Sequence, residues 1–265
     1  MPPEISEAEV AEHWDRNAPL WAEQVRRGHD IFREHWNNPA FVEFAGDLRG
    51  KNVLDAGCGE GYNTRIFARR GARMTGVDLS HRMLELALEE ERREPLGIRY
   101  VRASFTDLAI FHDATFDAVV STMALMDGPD LARAMREIAR VMRCGAMLAF
   151  NILHPCFVTK GMGWVNDEKG EIVKWGIADY FNDEPWVSYW KFGHAPNAEQ
   201  VEDFGIPRFD RTLADYINST IAAGLQLAEI REPRAPESAC AAFPDSFLKW
   251  RKHVPLFLHV RASKP

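Results

Sequence analysis

"NVLDAGCGEGYNTR", Asn52 to Arg65, sets an apolar run against a helical one and puts three glycines and an acid between them. A glycine-rich turn after a strand receives nucleotide-like ligands, because its backbone meets the ligand with no side chain in the way. Gly57, Gly59 and Gly61 fall on that turn. The ligand is then either a phosphate-bearing cofactor or something positively charged. Asp55 stands at the end of the apolar run, close to where a pyrophosphate would sit, and an unpaired carboxylate there repels phosphate. A dinucleotide fingerprint also needs a small residue where this chain has Tyr62.

Outward from the loop, short β-branched or apolar runs alternate with helical ones. "RMTGVDLS" (73–80), "IRYVRAS" (98–104), "FDAVVSTM" (116–123) and "AMLAFNIL" (146–153) read as strands, with "RMLELALEEERR" (82–93) and "PDLARAMREIARVMRCG" (129–145) as helices between them. Such alternation predicts an α/β fold, a parallel sheet doubly wound with helices on both faces. Gly71 and Gly145 read as helix stops, "SHRM" and "GPDL" as starts. Upstream, 6–28 and 39–48 read as amphipathic helices. Downstream, 155–210 is rich in aromatics, glycine and proline with no sustained period, which predicts a functional cap inserted into the fold. A helix (211–224), a strand (225–232), a Pro- and Ser-rich connection and a last strand (255–263) follow. The expected organisation is a helical lid at 1–50, a core at 51–154, the cap at 155–210 and the rest of the sheet at 211–265.

Composition narrows the partners. The net charge is −7 and the basic residues are dispersed, which argues against a nucleic-acid surface. No apolar run approaches the roughly 18 residues of a membrane span, and the acidic, polar start is unlike a signal peptide, so a cytoplasmic protein with no membrane contact is expected. Cys58, Cys144, Cys156 and Cys240 are scattered without metal-type spacing. Reduced thiols and no metal follow. The pattern leaves monomer and homodimer open.

Asp78 ends the second strand 19 residues after Gly59, where a carboxylate can accept hydrogen bonds from a ribose diol. "VLDAGCGEG" with "GVDLS" resembles the first two motifs of the class I S-adenosylmethionine-dependent methyltransferases, over roughly Asn52 to Leu153 and more weakly from Arg211 to Ala262. The resemblance implies a Rossmann-like sheet of seven strands and S-adenosyl-L-methionine as cofactor. It implies that Asp55, the three glycines and Cys58 hold the methionine part, Asp78 the ribose and Leu79 the adenine. Members often have an acid after the third strand for the adenine amino group; Ser104 and Phe105 stand there in this chain. Ser121 and Met123, in "STMALMD" (121–127), would run past the reactive methyl, and Trp14 and Trp21 would lie in a lid over the cofactor.

Methyl transfer from a sulfonium is an in-line displacement, so alignment and exclusion of water matter most and a base is optional. His154, at the end of the fifth strand, is the candidate base for an acidic acceptor; the other reading is a loop hydrogen bond. Trp164, Trp175, Tyr180, Trp186 and Trp190 are the candidate contacts for a small aromatic or heterocyclic acceptor methylated on O, N or S, and packing within the cap is the alternative for each. Two other functions remain: S-adenosylmethionine binding for another reaction or a noncatalytic role, and a nicotinamide-dependent oxidoreductase, which Tyr62 and Asp55 disfavour.

Overall fold

A computed structural model of the chain describes residues 5–194, 199 and 202–265. Its centre is a seven-stranded sheet. β1 (Asn52–Ala56), β2 (Arg73–Asp78), β3 (Arg99–Arg102), β4 (Phe116–Thr122) and β5 (Met142–Leu153) run parallel in the order β3-β2-β1-β4-β5. The sheet is completed by β11 (Phe257–Ser263), antiparallel to β5, with β10 (Gln226–Arg231) antiparallel to β11 at the edge. Strand order reverses between β1 and β4, and in open α/β sheets ligands bind beyond the carboxyl ends at that switch point.

Both faces of the sheet are covered, which is why its strands read as apolar runs rather than alternating ones. Leu54, Val119 and Phe150 pack with Met135 and Ile138 of α5 (Leu131–Val141). On the other face Val53, Ala118, Val120 and Ala149 meet Phe41 and Phe44 of α2 (Asn38–Ala45) and Phe67 of α3 (Tyr62–Arg69). Asp130 caps α5 by accepting from Arg133 N, and Ser80 caps α4 (His81–Arg93) by accepting from Met83 N. Both starts agree with the sequence reading, as does Gly71, which follows the end of α3 in the left-handed region at φ +90°. Gly145 does not stop a helix. α5 ends at Val141 and the chain turns directly into β5, where Gly145 takes φ +77° and its N–H donates to Lys264 O across the sheet.

Helix α1 (Glu7–Arg26) starts on a capping box between Ser6 and Glu9. It lies across the cavity end of the sheet and is followed by a π-helical turn, Arg33–Asn37, that leads into α2. The stretch 155–210 builds two hairpins: β6 (Gly163–Asn166) with β7 (Ile172–Gly176), and β8 (Trp186–Trp190) with β9 (Phe204–Arg208). The connection expected between the last two strands is largely helical, α7 (Glu237–Ala242) and α8 (Pro244–His253), and α6 (Leu213–Ala222) precedes β10. Trp250 of α8 packs between Trp164 and Trp175, with ring centroids 5.0 and 4.8 Å away. Residues late in the chain therefore belong structurally with the first cap hairpin.

Candidate functional site

A cavity of about 550 Å³ opens at the carboxyl ends of β1, β2 and β4 and runs under α1 to the β8–β9 hairpin. A shallower charged groove around Asp107, Arg133 and Arg136 lies on the outer face of α5; the glycine loop contributes nothing to its walls. The cavity under α1 falls within the usual range for small-molecule sites, roughly 300–1,000 Å³.

The glycine loop forms one end. Gly57 and Cys58 donate their N–H groups to Val77 O, both at 2.9 Å, which folds the loop against β2. Gly57 needs to be glycine for two reasons: its φ is +81°, and a Cβ there would overlap Ala124. Gly61, the residue before α3, also has φ +81°, and a Cβ would strike the Tyr100 ring. It shapes the turn from behind and does not reach the cavity wall. Gly59 donates to Asp78 Oδ2 at 2.8 Å and Ser80 N–H to Asp78 Oδ1 at 2.9 Å. Asp78 is thus fixed by backbone donors and keeps acceptor capacity on each oxygen.

Asp55 is 1% exposed. Thr64 Oγ1 donates to its Oδ2 at 2.6 Å, and Oδ1 has no partner on a wall that faces the cavity. Burial raises Asp55 to about 7, against the Thr64 hydrogen bond and helped by the nearby Asp78 charge. Burial likewise raises Asp78 to about 6, opposed by the hydrogen bonds from Ser80 and Gly59. Two carboxyls held this way strain against ionising together. A cation between them relieves the strain.

Leu79, Ser104 and Phe105 line the next part of the cavity. β3 brings no acid there, but α1 does: Ser104 Oγ donates to Glu7 Oε1 at 2.9 Å, Thr106 Oγ1 bonds the same oxygen, and Glu7 itself lines the cavity. Nothing in the sequence flags Glu7, because its only local feature is an acid in a helix's first turn. Tyr62 donates to Glu34 nearby, and Arg33 pairs with Asp30 at 3.3 Å beneath the rings of Trp21 and Tyr62.

α1 ties the two ends together. Asp15 accepts from Ser80 Oγ and Arg82 N; Arg26 donates to Glu60 and to Leu86 O; His13 and Asn17 both donate to Gly205 O at the hairpin. Trp14 and Trp21 line the cavity from this helix, and Trp21 meets Trp190, Phe192 and Phe204 at 5.3–5.5 Å. Met123, Cys58, Trp186 and Trp190 also lie on the wall, with Arg208 of β9 and the buried Asp127.

Several sequence candidates lie elsewhere. His154 is 2% exposed and off the cavity wall: its Nε2 donates to Glu232 Oε1 at 2.8 Å, while Nδ1 accepts from Cys156 N–H at 3.2 Å. Burial lowers its pKa. With both nitrogens engaged, the neutral ring has no lone pair left for an acceptor's proton. Ser121 is fully buried and donates to Ala56 O at 2.7 Å, so it joins β4 to β1 rather than facing a ligand. Trp164 and Trp175 pack against each other and Trp250 outside the cavity, Trp175 donating to Phe157 O. Tyr180 accepts from Leu213 N–H at 3.1 Å, again away from the wall. Period and spacing could not separate these from Trp186 and Trp190, since the deciding partner, Trp250, is about 75 residues downstream. Among the described residues no group of three or more His, Cys, Asp or Glu could hold a metal, and no helix is long and apolar enough to cross a membrane.

Comparison with known proteins agrees with this geometry. A family described as "Methyltransferase domain" matches residues 54–150. Two curated proteins, the Ubiquinone biosynthesis O-methyltransferases of Alkalilimnicola ehrlichii and Hahella chejuensis, are 31% and 33% identical over 157 and 145 residues. These matches cover 57% and 49% of this chain and 61% of each relative, so the chain spans about three-fifths of the curated relatives' length. The solved S-adenosylmethionine-dependent methyltransferase of Mesorhizobium loti superposes with a TM-score of 0.68 at 26% identity, covering 85% of this chain and 96% of that one. With its glycine loop and its sheet order, the chain carries over residues 54–150 a domain of the methyltransferase family, and it shares its fold with the S-adenosylmethionine-dependent methyltransferase of Mesorhizobium loti.

Proposed function

We propose that this protein transfers a methyl group from S-adenosylmethionine to a hydroxyl oxygen of a small aromatic molecule. One observation carries the reading: Asp55, a buried carboxyl with one oxygen unpartnered, lines the cavity together with the second carboxyl of Asp78. That pair suits a ligand bearing an ammonium and a sulfonium and repels a diphosphate. Asp55 with Gly57, Cys58 and Gly59 would hold the amino-acid part and Asp78 the ribose hydroxyls. Leu79 and Phe105 would sandwich the adenine, and Glu7 would accept from its amino group in the role other members give to an acid after β3. The bound donor supplies an electrophilic methyl on sulfur.

The chain's own share is alignment and dryness. α1 closes the cavity from above, and the aromatic ring of Trp14, Trp21, Trp190 and Phe192 keeps water from the transfer path. The flat aromatic walls suit a planar acceptor, and the relatives' printed names support oxygen as the accepting atom. Calorimetry tests the donor: S-adenosylhomocysteine should bind in the micromolar range and NAD should not. Incubation with labelled S-adenosylmethionine and simple phenols tests the transfer, and binding without labelled product would leave a cofactor-binding protein that does another reaction.

A further inference from the structure

Asp127 ends the short 3-10 turn Leu125–Asp127 that follows β4, and it lines the cavity. It is 6% exposed, its Oδ1 has no hydrogen-bond partner, and neither oxygen is hydrogen-bonded among the described residues. A buried carboxyl left unpaired is costly unless something brings a donor to it. Four groups face it from the packed elements: Arg208 of β9, Arg211 beyond β9, Tyr216 of α6 and, across the cavity, Asp78 of β2. Arg211 is occupied, donating to the carbonyls of Leu125, Gly128 and Pro129. Arg208 also lines the cavity, where its guanidinium meets the Met126 thioether at 3.8 Å; the N–H of Leu153, at the end of β5, meets the same sulfur at 3.5 Å.

We infer that Asp127 is the proton acceptor of the reaction and that the methyl acceptor is a neutral phenol, whose developing oxyanion Arg208 steadies. The inference rests on the methyl-transfer reading and deepens it. As the phenol oxygen forms its bond to the methyl carbon, the carbon–sulfur bond breaks with its electron pair returning to sulfur. The O–H bond breaks with its proton passing to Asp127. The sulfonium charge and the carboxylate charge are both lost, so the products are a neutral thioether, a methyl ether and a neutral carboxylic acid that returns its proton to water. Arg208 decides between acceptor classes: a guanidinium beside the reacting atom opposes an ammonium and favours an oxygen gaining negative charge. Burial raises Asp127 to about 7, with Arg208 and Arg211 pulling it down and Asp78 pushing it up, so its proton affinity suits exchange near neutral pH.

The test uses the full chain, labelled S-adenosylmethionine and three phenols: catechol, 3,4-dihydroxybenzoate and 4-hydroxybenzoate. With S-adenosylmethionine saturating at every pH, the wild type should methylate at least one, with a rate that climbs to a plateau above about pH 7. Asp127→Asn should lower turnover by about 100-fold and abolish the acid limb, while its affinity for S-adenosylhomocysteine stays within about twofold, as expected of a group off the donor's binding contacts. Arg208→Gln should move the limb to higher pH, since it removes a cation that favours the ionised carboxyl. Independently of turnover, carbon NMR of the chain labelled at aspartate carboxyls should show, beside the Asp55 resonance, a second one titrating near pH 7 that is absent in Asp127→Asn and whose midpoint moves to higher pH in Arg208→Gln. Full activity of Asp127→Asn with the limb unchanged, or no such resonance, overturns the inference. Binding of S-adenosylhomocysteine with no phenol methylated overturns it too, whereas no binding at all would overturn the methyltransferase reading beneath it.

Discussion

Two groups of tryptophans in this protein look alike and sit in different settings. Trp164, Trp175 and Trp250 meet edge to face or tilted at 4.5–5.0 Å, and Trp14, Trp21 and Trp190 do so at 5.1 and 5.5 Å. The first group fastens a hairpin to α8. The second forms a cavity wall with an arginine beneath it and the donor loop beyond. Ring geometry does not separate a packing cluster from a binding one. The neighbourhood does: a wall has space on one side and charged groups around it.

Substitutions separate the two groups by what each one disturbs. The largest expected effect is on stability: Trp250→Ala should cost about 3 kcal/mol, the low end for aromatic truncation because the ring is only partly buried, and leave S-adenosylhomocysteine affinity unchanged in calorimetry. Loss of binding in a folded Trp250→Ala would mean the first group also serves the site. Next, Asp78→Ala should weaken S-adenosylhomocysteine binding by about 1–3 kcal/mol through lost charged hydrogen bonds, with the melting temperature little changed. An unaltered affinity would remove the ribose assignment. Glu7→Gln should cost about 1 kcal/mol of the same affinity, and the loss should vanish for an inosine analogue, which carries no amino group on its base. His154→Ala should alter turnover least of all, by less than about threefold, because its ring nitrogens serve Glu232 and Cys156; a large fall in turnover at unchanged stability would restore it as a base.

The donor half of the site was legible because it is local. Asp55, three glycines and Asp78 lie within 24 positions, and their spacing alone fixes a turn, its backbone conformation and two carboxylates. The sheet was legible for the same reason, since each strand and helix carries its own period and caps. What α1 brings to the site, on the donor side and at the hairpin, was not. Glu7 reaches Ser104 across 97 residues and His13 reaches Gly205 across 192, and no local pattern announces either contact. α8 was read as a connection because its few apolar residues go to different neighbours, Phe247 to Phe32 and Trp36 and Trp250 to the hairpin tryptophans, which weakens the periodic signal. Gly145 misled for a related reason: a left-handed glycine after a helix stops it only when it follows directly, and here β5 intervenes.

Cofactor affinity as a function of pH tests the two-carboxylate account most directly. In the free protein Asp55 and Asp78 are raised to about 7 and about 6, so both are mostly protonated near pH 5.5, and a cationic donor must expel those protons to bind. Calorimetry of S-adenosylmethionine should therefore show affinity rising about tenfold or more between pH 5.5 and 8 and levelling off above, with protons released to buffer on binding at the acid end. Affinity that stays flat across that range with no proton release, or that rises for NAD instead, would contradict the account.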